Sequence, residues 1–249
     1  MRTLALLLLA QASSAMALSP AEADTLVQRA HRAFAIGDVP GALALYDSVA
    51  VQYTSAGLEY DRANCHFHLG DLAKAVLHYE RALRMDPTAE DARSNLELTR
   101  SQLVDRVEAL PGMDLTTIWD RMGGMDRWAR RAILFTWACV LLLIVALVPG
   151  RPRGWERSWG AAAGVAGMLA IIAITLSAVQ WRRYTDRSEA ILMEPRIQVK
   201  SAPTEQAKVL FVLHEGAKLK VLQVRNGSSE VELPNGLVGW VPSGALERI

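Results

Sequence analysis

Residues 62–87 read RANCHFHLGDLAKAVLHYERALRMDP, and residues 29–50 read RAHRAFAIGDVPGALALYDSVA. Set on their Gly-Asp pairs, the two stretches place Gly37, Ala42 and Tyr46 against Gly70, Ala75 and Tyr79, each pair 33 residues apart. A fixed period of that length means stacked supersecondary units, none of which can bury its apolar face without a neighbour. Ala30 and Ala63 add a small residue before each Gly-Asp turn, so the units read as two antiparallel helices that approach closely, with the tyrosine filling the gap.

This pattern resembles the tetratricopeptide repeat. The second unit matches further, with Ala82 and the closing Asp86-Pro87; the first has Thr54 where proline is usual and Pro40 near the start of its second helix, where proline is tolerated. Both carry arginine, Arg29 and Arg62, where the family usually has leucine, so two repeats are expected rather than a long array. A further helical face, Ala92, Leu96, Thr99, Leu103, Val107 and Leu110, closed by Pro111-Gly112, is expected to cap them, giving a helical domain over residues 18–110. The resemblance implies a concave surface lined by the first helix of each pair, here Val27, His31, Phe34, Tyr60, Asn64, Phe67 and His68, holding a peptide or partner segment. Phe34 and Phe67 read equally well as packing residues, while Asn64 and His68, polar in a helix whose other face is apolar, are expected to be exposed.

Over the whole chain 51% of residues are hydrophobic, and the excess is concentrated in three blocks. The first, Leu4 to Ala10, follows Arg2 and precedes Ala15-Met16-Ala17, the layout of a signal peptide (1–17) cleaved after Ala17. Residues 132–148 form an uncharged run of about 25 Å as a helix, and residues 160–180 one of about 31 Å. Trp128, Arg130 and Arg131 precede the first; Trp159 and Trp181-Arg182-Arg183 bracket the second, as interfacial anchors do. Two transmembrane helices are expected, with juxtamembrane segments 111–131 and 181–195 and a short loop, 149–159, between the spans. Gly160-x-x-x-Gly164 and Ala163-x-x-x-Gly167 would let the first span approach closely. A tight hairpin puts both outer ends on one side. Arg151, Arg153 and Arg157 favour a cytoplasmic loop, and the export signal then places both soluble parts in the periplasm of an inner-membrane protein.

From Ile197 the period changes to short β-branched runs, Ile197 to Val199, Val209 to Leu213, Leu219 to Val224 and Val238 to Val241, with tight-turn signals at Asn226-Gly227 and Pro234-Asn235-Gly236. Five or so strands predict a small closed β-barrel over residues 196–249. VKSAPTEQAKVLFVLHEGAKLKVL followed by GLVGWVPSGALERI resembles bacterial SH3-type domains, some of which bind cell-wall peptides through aromatic grooves. Phe211 and Trp240 are the aromatics this barrel would present at its surface, whereas Ser228-Ser229-Glu230 stands where another is common.

The fold class is therefore α plus membrane plus β: tetratricopeptide repeats, a two-helix transmembrane hairpin and a small SH3-like β-barrel. That order resembles the BatE proteins of the Bacteroides aerotolerance (Bat) operons. Membership implies a non-enzymatic inner-membrane scaffold acting beside von Willebrand A-type membrane proteins and a MoxR-type ATPase in envelope stress tolerance. The other reading is an anchor that holds peptidoglycan through the barrel.

Net charge is +1, from 27 basic and 26 acidic residues, so no global field concentrates nucleic acid. Cys65 and Cys139 fall in separate parts of the chain and read as buried apolar residues. Of the five histidines, His31, His66, His68, His78 and His214, none has the spacing of a metal ligand set or a triad, and no phosphate loop or nucleophile elbow appears. No cofactor, metal or catalytic residue is expected.

Overall fold

The computed structural model describes residues 18–105, 125–148 and 154–249. The proposed cleavage site after Ala17, Val107 and Leu110 of the capping pattern, and Arg151 and Arg153 of the loop lie outside the described residues.

Five helices, α1 (Pro20–Ala35), α2 (Val39–Ala50), α3 (Ala56–His68), α4 (Leu72–Met85) and α5 (Glu90–Ser101), form the first part. Each Gly-Asp pair does two jobs at once. Gly37 and Gly70 take positive φ, 86° and 79°, which ends the first helix of each pair as a side chain would do only under strain. Asp38 and Asp71 then cap the second helix, accepting from Gly41 N at 3.0 Å and Lys74 N at 3.2 Å. Ser19 forms a capping box with Glu22 on α1, and Ser55 accepts from Leu58 N on α3. Ala30, Ala42, Ala63 and Ala75 are fully buried, and the helices close around Tyr46 and Tyr79. Helix α5 packs on α4 through Ala92, Leu96 and Thr99. It stops at Ser101, earlier than its apolar pattern implied, and Leu103 reaches the core from beyond the helix end.

Helices α6 (Met125–Ala146) and α7 (Trp155–Thr185) pack against each other, and each is long and apolar enough to cross a bilayer. Helix α6 begins before its expected span and ends at Ala146, just short of Val148, while α7 overruns its span at both ends because polar residues continue the backbone ladder past the apolar run; residues 155–159 belong to α7 rather than to a loop. Ala163, Ala166, Ala170 and Ala173 form the buried stripe of α7, and Cys139 of α6 lies where a Cβ on Gly167 would meet its sulfur at 3.4 Å. Of the small residues marked in the sequence, Ala163 and Gly167 make this approach; Gly160 and Gly164 face open space. Trp155 Nε1 donates to Val145 O at 3.0 Å across the hairpin.

The C-terminal part is an antiparallel seven-stranded sheet: β1 (Glu189–Leu192), β2 (Arg196–Lys200), β3 (Val209–His214), β4 (Lys218–Arg225), β5 (Ser228–Glu232), β6 (Val238–Pro242) and β7 (Leu246–Arg248), in spatial order 3-2-6-5-4-1-7. Asn226 and Gly227, with φ 49° and 74°, make the two-residue hairpin turn between β4 and β5. One core gathers Leu192, Val199, Leu213, Leu219, Val231 and Val241, so the sheet curls around it. The hydrogen-bonded ladder nevertheless stays open, with β3 and β7 as edges, and the closed barrel expected from the turn spacing is corrected to a curled sheet.

Strand β1 lies in the segment expected to be a linker, and it joins the helical repeats to the sheet. Ile191 and Ile249 are buried in the repeat core with Leu77, Leu96 and Leu103. Polar groups ring this contact. Lys218 Nζ lies 3.0 Å from Glu80 and 2.9 Å from Glu189, and Arg100 also pairs with Glu80. Arg81 bonds Glu247 at 3.1 Å and Arg248 O at 2.7 Å, Arg84 donates to Ile249 O at 2.6 Å, and Asp105 accepts from His214 N at 2.6 Å.

Candidate functional site

The first helices of the repeats, α1 and α3, carry the residues assigned to the concave face. His68 is exposed, its ring centroid 5.3 Å from that of Phe34 and 6.0 Å from that of Phe67 in edge-to-face contacts, and both phenylalanines are half-buried. Those three side chains bridge the two repeats into one aromatic strip. His31 is exposed, binds Asp61 Oδ2 at 2.9 Å and meets Tyr46 edge-on at 5.8 Å. Burial pushes the Asp61 carboxyl above its ordinary range, and the bond from His31 opposes that rise. Val27 is half-buried against the first repeat's core. At the turns beside this strip, Ile36 is 83% and Leu69 46% exposed.

Asn64 and Tyr60 behave differently from His68. Tyr79 Oη donates to Asn64 Oδ1 at 2.5 Å, and Asn95 Nδ2 of α5 donates to both Asn64 Oδ1 and Tyr60 Oη at 3.2 Å. Asn64 is half-buried and serves this internal network, which corrects the expectation of a freely exposed amide. A neighbouring helix can satisfy a polar side chain as well as water can.

Behind the strip lies a polar cluster missed in the sequence. Glu59, His66 and His78 are buried, with His78 Nδ1 2.6 Å from Glu59 Oε2 and the two imidazoles stacked at 5.2 Å and 5°. Arg62 bonds Asp47 at 2.8 Å and Glu59 at 3.2 Å, and His66 Nδ1 is 3.6 Å from Asp71. Burial alone would raise Glu59, but the bond and charge of His78, with Arg62 and Arg81, carry it below its ordinary range. Burial, seconded by His78, depresses His66 to about 4. The signal was available: one period earlier the same positions hold Leu26, Ala33 and Leu45. Among the described residues no three His, Cys, Asp or Glu side chains gather as a metal site. Both cysteines are free, and Cys65, on α3, is buried against the core of the first repeat.

In the sheet, Phe211 is half-buried against the core and Trp240 is 8% exposed, its strand β6 lying between β2 and β5. The indole expected at the surface is covered. These two residues therefore do not form an open aromatic groove.

A tetratricopeptide repeat is present at residues 57–89. The match to that family's model spans α3, its Gly-Asp turn and α4, ending at Ala89. No curated protein matches the chain.

Proposed function

We propose that this chain is a non-enzymatic, two-pass membrane scaffold that docks protein segments on the face of α1 and α3. The observation that carries the proposal is the join between the soluble parts: β1 and Ile249 complete the core of the second repeat although two apolar helices lie between them in sequence. Such a join requires both outer ends of the hairpin to emerge on one side of the bilayer. Trp128, with Arg131 stacked on its ring at 4.6 Å, and the Trp155–Trp159 pair stand at span ends, as interfacial anchors do. The sequence's export signal and Arg151, Arg153 and Arg157 favour the periplasm for that side and the inner membrane for the hairpin. The repeat at 57–89 supports docking of protein rather than catalysis, and the exposed His68 between Phe34 and Phe67 gives an apolar, edge-rich seat with one polar handle.

The resemblance to BatE proteins extends this reading to a Bat-type envelope complex, with von Willebrand A-type membrane proteins as partners and aerotolerance as the role. The SH3-type resemblance of the sheet suggests peptidoglycan as a second ligand, but the burial of Trp240 lends that alternative no support. Crosslinking pull-down from intact membranes tests the scaffold: Phe34→Ala with His68→Ala should lower partner recovery at least about tenfold, the loss of roughly 1.4 kcal/mol. Unchanged recovery, or retention of the chain on purified sacculi, would refute it.

A further inference from the structure

Trp128, Trp155, Trp159 and Trp181 stand near the ends of α6 and α7, whereas Trp137 lies inside the uncharged run, about 5 Å along the helix from its midpoint. It is 70% exposed, and its indole N–H has no partner among the described residues. In hydrocarbon an unpaired N–H is costly, and tryptophan prefers the headgroup region for that reason.

Helix α6 carries two seams at coiled-coil spacing. The inner seam, Ala132, Phe135, Cys139, Leu142 and Ala146, is covered by α7. The outer seam, Ile133, Trp137, Val140, Ile144 and Leu147, advances in steps of four and three, and every member is exposed. Trp137, Val140, Leu141 and Ile144, with Ala138, line a shallow apolar dent. Trp137, Val140, Leu141 and Ile144 have the spacing of the four corners of a hole that receives one side chain of a facing helix.

We propose that the outer seam of α6 joins two copies of this chain side by side in the bilayer. The proposal rests on the membrane reading above, since two copies inserted alike present parallel α6 helices. In that register Val140 of one copy enters the dent of the other. Trp137 enters the neighbouring hole, formed by Ile133, Thr136, Trp137 and Val140 of the second copy. Thr136 spends its hydroxyl proton on Ala132 O at 2.8 Å and keeps lone pairs that can accept the indole N–H. The donor on the seam and the acceptor flanking it thus belong to the same stretch of α6, a complementarity that a lipid tail does not offer.

The test is disulfide trapping of the full-length chain in native membranes, after Cys65→Ala and Cys139→Ala. Single cysteines at Ile133, Val140, Ile144 and Leu147 should give at least about five times the dimer of Leu134→Cys, which is exposed on a different face of the helix. Trp137→Phe or Thr136→Val should each lower the Val140→Cys yield about threefold to tenfold, the range for one interhelical hydrogen bond, and the pair together no further. Equal yields around the helix, no dimer at all, or adducts of another mass overturn the pairing, the last assigning the seam to a different membrane protein. Extraction by alkaline carbonate separates the two levels: a chain released from membranes overturns the two-pass reading and the pairing with it, whereas a retained chain without seam-specific disulfides overturns the pairing alone.

Discussion

Replacing His66 by leucine is expected to flatten the acid limb of the second repeat's stability. In the unfolded chain this imidazole takes up a proton below pH 6.5, but in the fold, buried and stacked on His78, it does not do so until about pH 4. Between those values the unfolded state binds more protons, so the stabilisation is complete above pH 6.5 and is lost as pH falls to about 4. At 1.36 kcal/mol per unit, the window amounts to about 3 kcal/mol. Asp71, 3.6 Å away, opposes the shift without cancelling it. Glu59 is held below its ordinary range, so its own contribution fails only at more acid pH and does not blur the window. The assay is hydrogen exchange of peptides from α3 and α4 in the full chain reconstituted in nanodiscs, corrected for intrinsic rates, at pH 7, 5.5 and 4.5. Wild type should lose protection across this series, and His66→Leu should lose about 2.5 kcal/mol less by pH 4.5, where most of the window has been crossed. Parallel loss in both would refute a neutral, buried His66.

Two further changes probe the join between repeats and sheet. Lys218→Met leaves Glu80 with Arg100 and Glu189 with Arg84; because the lysine side chain is 26% exposed, the expected cost is about 2 kcal/mol, below the usual range for breaking a fully buried pair, read as a lowered thermal midpoint and faster proteolysis between the parts. Gly216→Ala puts a methyl 2.5 Å from Leu103 Cδ2 at a φ of +83° and should cost about 2 kcal/mol or more, part of it recovered in the double change with Leu103→Ala.

Features whose cause is local were legible in the sequence. Gly-Asp at 37–38 and 70–71 and Asn226-Gly227 fix backbone angles within a few residues, and the structure has the helix ends and the hairpin there. Features decided by distant neighbours were not. Glu189-Ala-Ile-Leu192 is four residues long and follows a charged stretch, and it becomes a strand only through pairing with β4 and β7, more than twenty residues further on. The polarity of Asn64 points to exposure, yet Asn95 from the third helical layer satisfies it. The Glu59–His66–His78 cluster was hidden by the opposite assumption, that a repeat interior is apolar throughout. Closure of the sheet depends on how far seven strands curl, which turn spacing does not specify.

The central claim, that the helical front and the curled sheet form one unit on one side of a bilayer crossed twice, is tested most directly by thiol labelling in intact cells. With Cys65 and Cys139 replaced, Ile36→Cys and Val224→Cys, both on exposed side chains, and Arg157→Cys at the start of α7 are treated with a membrane-impermeant maleimide after the outer membrane is opened. Labelling of positions 36 and 224 from outside, with 157 reached only after lysis, is the expected result. Labelling of 36 without 224, or of 224 without 36, would contradict it.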